Sequence, residues 1–245
     1  MVLESEITRL VSEGGVLLGE GVFGWAFRVR YQGRDAVVKM AKDRQHAQLF
    51  REEVHTLVQL DGLGGAPRVA TVCEDYPGFI MDYCGGGTLQ SMLKDAAPVG
   101  AVLRAVHDLA LRLEEIHRAG YAHNDLKVDN VMVETGADGR VRARLIDLGL
   151  CGRLGESPGL EGDPKVHRHV APELLRRGVS SVESETYSLG YVLRDVLRAY
   201  AGSLPRESEL RCLARAMTCP DPLRRPAYQL CLAGLADSLE APRRE

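Results

Sequence analysis

Over much of the first eighty positions short apolar runs alternate with glycine-marked turns; after a tract of three glycines the apolar spacing becomes helical. VLLGEGVFGWAFRVR, residues 16–30, places two apolar runs around glycines and predicts a β-hairpin. RDAVVKMA, 34–41, predicts a third strand after a turn at Gln32-Gly33. In AQLFREEVHTLVQL, 47–60, Leu49, Phe50, Val54, Leu57, Val58 and Leu60 recur at helical spacing and predict an amphipathic helix. PRVATVCEDYPGFIMDY, 67–83, predicts two strands joined at Asp75-Tyr76-Pro77-Gly78. The expectation is a strand-rich part with one helix, ending at a hinge or linker, Gly85-Gly86-Gly87.

Beyond the hinge, TLQSMLKD predicts a short helix. PVGAVLRAVHDLALRLEEIHRAG, 98–120, is apolar along one face, with Pro98 at its start and Gly120 at its stop. Short strands are expected at 130–134 and 141–147, a Gly- and Pro-rich loop over 148–172, and helices over 183–200, 206–218 and 226–239. The expected fold is α+β with two lobes, a small β-rich one (about 1–83) and a larger, mainly helical one (about 88–245), joined over about 82–87.

Composition narrows the class. The chain has 245 residues, 45% hydrophobic and 27% charged, which fits a soluble globular protein. It has no apolar run of membrane-spanning length, and its N-terminus lacks a basic-then-apolar secretory layout. A net charge of −3 argues against a nucleic-acid or acidic-membrane partner. Its six cysteines form no Cys-x-x-Cys pair, so a reducing, intracellular setting is expected, cytoplasm and nucleus being equally open.

Four clusters carry chemistry. Gly19-Glu20-Gly21-Val22-Phe23-Gly24 fits a G-x-G-x-x-G pattern followed by a strand, so it reads as a flexible hairpin lying over phosphates, or as an ordinary glycine turn. Lys39 ends an apolar strand. Fourteen residues on, Glu53 has the helical phase to face it, whereas Glu52 points further round. In HNDLKVDN, 123–130, Asp125 is a candidate to accept a hydroxyl proton, Lys127 to neutralise phosphoryl charge, and Asn130 to offer an amide oxygen to a metal. Asp147 of Asp147-Leu148-Gly149 ends an apolar run and is a hard oxygen ligand for Mg2+.

In this order and at these spacings the clusters resemble a eukaryotic-type protein kinase over nearly the full length. HNDLKVDN stands for the catalytic loop, Asp147-Leu148-Gly149 for D-F-G and Ala171-Pro172-Glu173 for A-P-E. E185-T-Y-S-L-G190 resembles the start of the central helix of the larger lobe, and D221-P-L-R-R225-P a late D-P-x-x-R-P. The resemblance implies ATP and Mg2+ as cofactors and a protein substrate as partner. It implies that Leu18, Gly19, Glu20, Gly21, Val22, Phe23, Gly24, Trp25 and Ala26 cover ATP, with Val37 above the adenine and Met132 below. Met81 takes the gatekeeper place, and Asp82 and Cys84 belong to the adenine-facing hinge. Lys39, oriented by Glu53, holds phosphates, Asn130 and Asp147 hold Mg2+, and Asp125 acts on the substrate hydroxyl. Arg225 is expected to form a buried ion pair with Glu173.

Departures from the family pattern sharpen the reading. Asn124 replaces the usual Arg, which receives a phosphate on the activation segment. Residues 147–173 hold no Thr or Tyr and one Ser, Ser157, so activity independent of phosphorylation there is expected. Val166 stands where Ser/Thr kinases carry Thr, while Lys127 favours Ser/Thr specificity. His167, Arg168 and His169 read either as a preference for acidic substrates or as a solvated basic turn. Only Ala201–Arg206 separate two late helices, a shorter connection than the family's. Two other functions compete: a binding or scaffold module on the same fold, and a small-molecule phosphotransferase.

Overall fold

The computed structural model describes residues 1–240, which divide into two compact units. One holds residues 1–62 and 66–84; the other holds 63–65 and continues from 85.

The first unit opens with helix α1 (Glu4–Ser12), then strands β1 (Val16–Glu20), β2 (Gly24–Tyr31) and β3 (Arg34–Ala41), helix α2 (Ala47–Leu60), and strands β4 (Val69–Val72) and β5 (Gly78–Asp82). The strands form an antiparallel sheet in the order β1-β2-β3-β5-β4. Ala26 pairs with Lys39 and Lys39 with Phe79; one step along, Arg28 pairs with Val37 and Val37 with Met81. Because strand side chains alternate, these residues share one face. The opposite face carries Val29, Ala36, Val38 and Ile80, and it is covered by Val2, Ile7, Leu10 and Val11. Helix α1 therefore corrects the expectation of one helix in this part. Its Ile7, Leu10 and Val11 recur at helical spacing, and Ile7 is fully buried.

The second unit is mainly helical. Its helices are α3 (Leu89–Lys94), α4 (Val99–Arg118), α5 (Val182–Ala199), α6 (Glu207–Met217) and α7 (Tyr228–Glu240). Strands β6 (Gly87–Thr88), β8 (Val131–Thr135) and β9 (Val141–Leu145) form one small sheet, and β7 (Tyr121–Ala122) pairs with β10 (Gly152–Arg153). Gly87 is thus the first residue of a strand paired with Val133, where a hinge tract was expected. Helix α4 buries Val102, Val106, Leu109, Leu113 and Ile116 on one stripe and stops at Gly120, whose φ of +83° favours glycine. Helix α5 starts with a capping box between Ser181 and Ser184. A Cβ at Gly190 of α5 would lie 2.6 Å from the Cβ of Met217, so the missing side chain is what lets α5 and α6 approach. Among the described residues no helix is long and apolar enough to cross a membrane.

Candidate active site

In the first unit, Lys39 Nζ donates to Glu53 Oε1 at 2.6 Å. Glu53 is 5% exposed while Glu52 is exposed, so helix phase selects the partner that the sequence spacing favours. Lys39 stays partly solvent-exposed, which spares the pair the full desolvation cost of two charges. The glycine loop is closed by Gly21 N–H donating to Gly24 O and by Lys42 N–H donating to Phe23 O, each at 2.9 Å. Its three glycines have different reasons. A Cβ at Gly24 would meet Met40 O at 2.5 Å, so packing forbids it. A Cβ at Gly19 would meet nothing, and one at Gly21 only Gly24 O at 3.8 Å, so packing does not require glycine at either. Bare backbone at those two positions suits close approach by an anion.

Leu18, Val22 and Phe23 are exposed on this loop, and Phe23 meets the His46 ring edge-on at 5.1 Å. Glu20 is ion-paired with Lys42, whose hydrogen bond and charge hold the carboxyl below its ordinary range. Lys42 also lies 5.5 Å from the centre of the Trp25 ring. Ala26, Val37 and Met81 share the face of Lys39. Asp82 N–H donates to Arg68 O at 2.9 Å, Arg68 N–H donates to the Asp82 carboxylate at 3.3 Å, and Cys84, buried, closes the unit.

In the second unit, the loop after β7 gathers around one carboxylate. Asp125 Oδ2 accepts from Lys127 Nζ and Asn130 Nδ2, both at 2.9 Å, and Asp125 O also accepts from Asn130 Nδ2 at 2.8 Å. His169 Nε2 lies 2.8 Å from Asp125 Oδ1; an ionised carboxylate only accepts, so this nitrogen carries the proton. Burial alone pushes the Asp125 carboxyl up, but the bonds from His169 and Lys127, with their charges, outweigh it and hold it down to about 2. His169 is the contact that reading the sequence missed: it is half-buried against Asp125, not part of a solvated turn, whereas Arg168 and His167 are exposed.

The loop itself is hung from α5. Glu185 is fully buried and accepts from His123 N–H at 2.9 Å and Asn124 N–H at 3.0 Å. Burial opposes its charge, yet the adjacent His117, 3.6 Å away, and the His123 N–H hold its carboxyl below the ordinary range. The longer side chain of Glu185, compared with the family's Asp, still reaches both backbone donors. His123 Nε2 donates to Ile146 O at 3.0 Å, tying the loop to the turn that carries Asp147. The strand before that turn ends at Leu145, two residues earlier than expected. Asp147 instead sits in a left-handed conformation, φ +58°, and Leu148 behind it is buried.

Asn124 also adopts a left-handed φ of +64°, which Asn tolerates better than most residues. Its Nδ2 donates to Leu150 O at 2.9 Å and its Oδ1 accepts from Ser180 Oγ at 2.8 Å. Ser180 in turn joins residues 155–156 by two backbone bonds of 2.8 Å. Ser157 is exposed and shapes its own turn: its Oγ donates to Arg177 O and accepts from Gly159 N–H. Glu173 and Arg225 form a two-pronged pair at 2.5 and 2.8 Å, with the Arg225 side chain completely buried.

The donor set fits Mg2+. Asn130 spends its Nδ2 on Asp125, so the atom it can offer a metal is Oδ1, a hard oxygen like those of Asp147. No cluster of three or more His, Cys, Asp or Glu exists among the described residues, and Mg2+ commonly takes one or two protein oxygens and completes its shell with water and phosphate. Met132, half-buried, pairs with Thr88 and Arg144 in its sheet.

A β-rich unit with a glycine loop and a lysine–glutamate pair, together with a helical unit carrying a buttressed aspartate, defines a two-lobed kinase fold. The chain belongs to the protein kinase domain family, which matches residues 13–209. It is similar to the mouse serine/threonine-protein kinase MRCK gamma, 28% identical over 86% of this chain and 14% of that protein. It is also similar to the Caenorhabditis elegans serine/threonine-protein kinase mrck-1, 30% identical over 79% of this chain and 13% of that protein. A third relative is the Drosophila melanogaster membrane-associated tyrosine- and threonine-specific cdc2-inhibitory kinase, 29% identical over 88% of this chain and 45% of that protein. The chain thus spans less than half the length of each of these relatives. Family membership implies use of ATP and Mg2+.

Proposed function

We propose that the chain transfers the γ-phosphate of ATP to Ser or Thr hydroxyls of protein substrates, and does so without phosphorylation of residues 147–173. Residues 1–245 act as one kinase domain, with lobes of about 1–83 and 88–245 around a hinge of about 82–87. The observation that carries the reading is the state of Asp125, ionised and held on both oxygens. A carboxyl held down to about 2 is a weak base. It orients the substrate hydroxyl as an acceptor and takes the proton late, as the hydroxyl oxygen bonds to phosphorus and becomes acidic.

When bound, ATP with Mg2+ supplies the transferable phosphoryl group and part of the charge neutralisation. Lys39, fixed by Glu53, binds phosphate oxygens, and the open backbone of Gly19 and Gly21 lets residues 18–26 close over them. Asn130 and Asp147 offer metal ligands, and Lys127 stands beside the acceptor to neutralise phosphoryl charge. Ala26, Val37, Met81 and Met132 supply apolar contact for the adenine, and Asp82 and Cys84 its backbone-facing edge.

Independence from loop phosphorylation rests on Asn124. Its two side-chain hydrogen bonds tie residues 124, 150 and 180 together with neutral partners, so no phosphate is needed to order the segment. The test is transfer of labelled phosphate to generic protein substrates with Mg2+, before and after phosphatase treatment, with Asp125→Ala as control. Asp125-dependent labelling of Ser or Thr that survives phosphatase is expected. No Asp125-dependent transfer would favour a scaffold, transfer only to small molecules a different phosphotransferase, and phosphatase sensitivity would overturn the unphosphorylated mechanism.

A further inference from the structure

Helices α5 and α6 carry two pairs of arginines at one-turn spacing, Arg194 with Arg198 and Arg211 with Arg215. All four line a single groove of about 500 Å3, together with Leu197, Ala201, Ala214 and Thr218. Among the described residues no acidic side chain lines it. Like charges one turn apart destabilise a helix slightly, so the fold gains nothing from this grouping. Two of the four are balanced from outside the groove: Arg198 by Asp195 at 3.0 Å, and Arg211 by Glu207 at 2.6 Å. Arg194 rests 5.0 Å from the centre of the Tyr191 ring, and neither it nor Arg215 forms an ion pair among the described residues.

Four guanidiniums against two carboxylates leave two positive charges at the groove. Its alanines at 201 and 214 leave the space between the arginines unfilled, and the short connection at 201–206 puts no further helix in it. Two unbalanced charges match a phosphomonoester, which carries roughly −1.5 to −2 near neutral pH. Guanidinium forks match phosphate oxygens in geometry as well as charge. The chain as a whole is at −3, so this is a local excess and not part of a generally basic molecule suited to a nucleic-acid backbone.

We propose that this groove is a docking site for a phosphorylated segment of a protein partner, held chiefly by Arg194 and Arg215. The site lies within the second unit and uses none of the residues assigned to phosphoryl transfer.

The experiment is fluorescence anisotropy on the full chain without ATP. The probes are labelled short degenerate peptides with a fixed central phosphoserine, serine or glutamate. The phosphoserine pool should bind at least about tenfold more tightly than the serine pool, with affinity falling as salt rises. Arg194→Ala/Arg215→Ala should erase that preference while leaving transfer to an unphosphorylated substrate unchanged. Should that variant fold poorly, Arg194→Lys/Arg215→Lys keeps the charge, loses the fork, and should weaken phosphoserine binding several-fold. Asp125→Asn should bind as the native chain does, so a failed kinase reading leaves this test standing. The proposal is overturned if phosphoserine has no advantage over serine or glutamate, if the advantage survives Arg194→Ala/Arg215→Ala, or if a short DNA duplex competes as well as the phosphopeptide.

Discussion

Replacing Asn124 by Gly removes two hydrogen bonds and nothing else of the backbone's geometry, because glycine accepts the φ of +64° without strain. Each neutral bond contributes about 1 kcal/mol net, and stranding a buried partner costs about 1–3 kcal/mol more. The Ser180 hydroxyl is such a partner, since Ser180 is 2% exposed. The change should therefore weaken the hold on residues 150–180 by about 3–5 kcal/mol, or some 100-fold or more in the ordered fraction. Ser180→Ala cuts only one of the two bonds, leaves the buried Asn124 Oδ1 without its donor, and should cost about 2–4 kcal/mol. Two readouts follow the segment: kcat with a protein substrate, and the rate of limited proteolysis between residues 151 and 170. Asn124→Gly should lower the first by about tenfold or more and raise the second in step, Ser180→Ala should do less of both, and the double variant should fall short of the sum. If both single variants keep native kcat and native protection, the neutral tie does not order the segment and the argument fails.

His169→Ala should lower kcat by about tenfold with little change in KM for ATP, because a hydrogen bond to a charged group contributes about 1.5–3 kcal/mol; His169→Gln, which keeps a donor, should recover part of it. Glu173→Ala leaves Arg225 buried without its counter-ion and should destabilise the fold by about 3–5 kcal/mol, read as a drop in Tm of roughly 2–4 °C per kcal/mol; a fall of under ~1 kcal/mol in urea denaturation would contradict it. Glu185 has a folded pKa below its unfolded one, so its contribution is fully present above the ordinary glutamate range and is lost below it, as pH falls through the lower folded pKa. Denaturation of Glu185→Gln should accordingly lose stability near neutral pH and show a shallower decline on acidification than the native chain.

What the sequence discloses and what it hides divide by distance along the chain. Lys39 and Glu53 are fourteen residues apart on a strand and a helix, and two periodicities suffice to aim them at one another. Helix α1 was equally open to that method, since Ile7, Leu10 and Val11 have the right spacing; nine residues with flanking glycines simply read more weakly than the strands after it. Asp147 was placed at a strand end because its run is apolar, but apolar character persists through Ile146 while the ladder stops at Leu145, and only backbone pairing marks that difference. His169 meets Asp125 across 44 residues, and no period or motif relates them. The same holds for Asn124 and Ser180, 56 residues apart: the sequence marks position 124 as unusual but cannot say what its amide holds.

That amide explains why the substitution is more than the loss of a phosphate receiver. Asn124 is 1% exposed, so an arginine there would bring a cation into a nearly water-free place. Without a phosphate to meet it, such a charge costs several kcal/mol. On that argument an arginine here favours an ordered segment only when a phosphate meets it. Asn fills the same place with one donor and one acceptor, each matched by a neutral partner, so the ordered arrangement is satisfied as synthesised. On the reading proposed above, the exchange removes the penalty and the switch together. If that reading holds, regulation acts elsewhere than at residues 147–173, and the proposed site among the arginines of α5 and α6 is where a phosphate on another protein would bind.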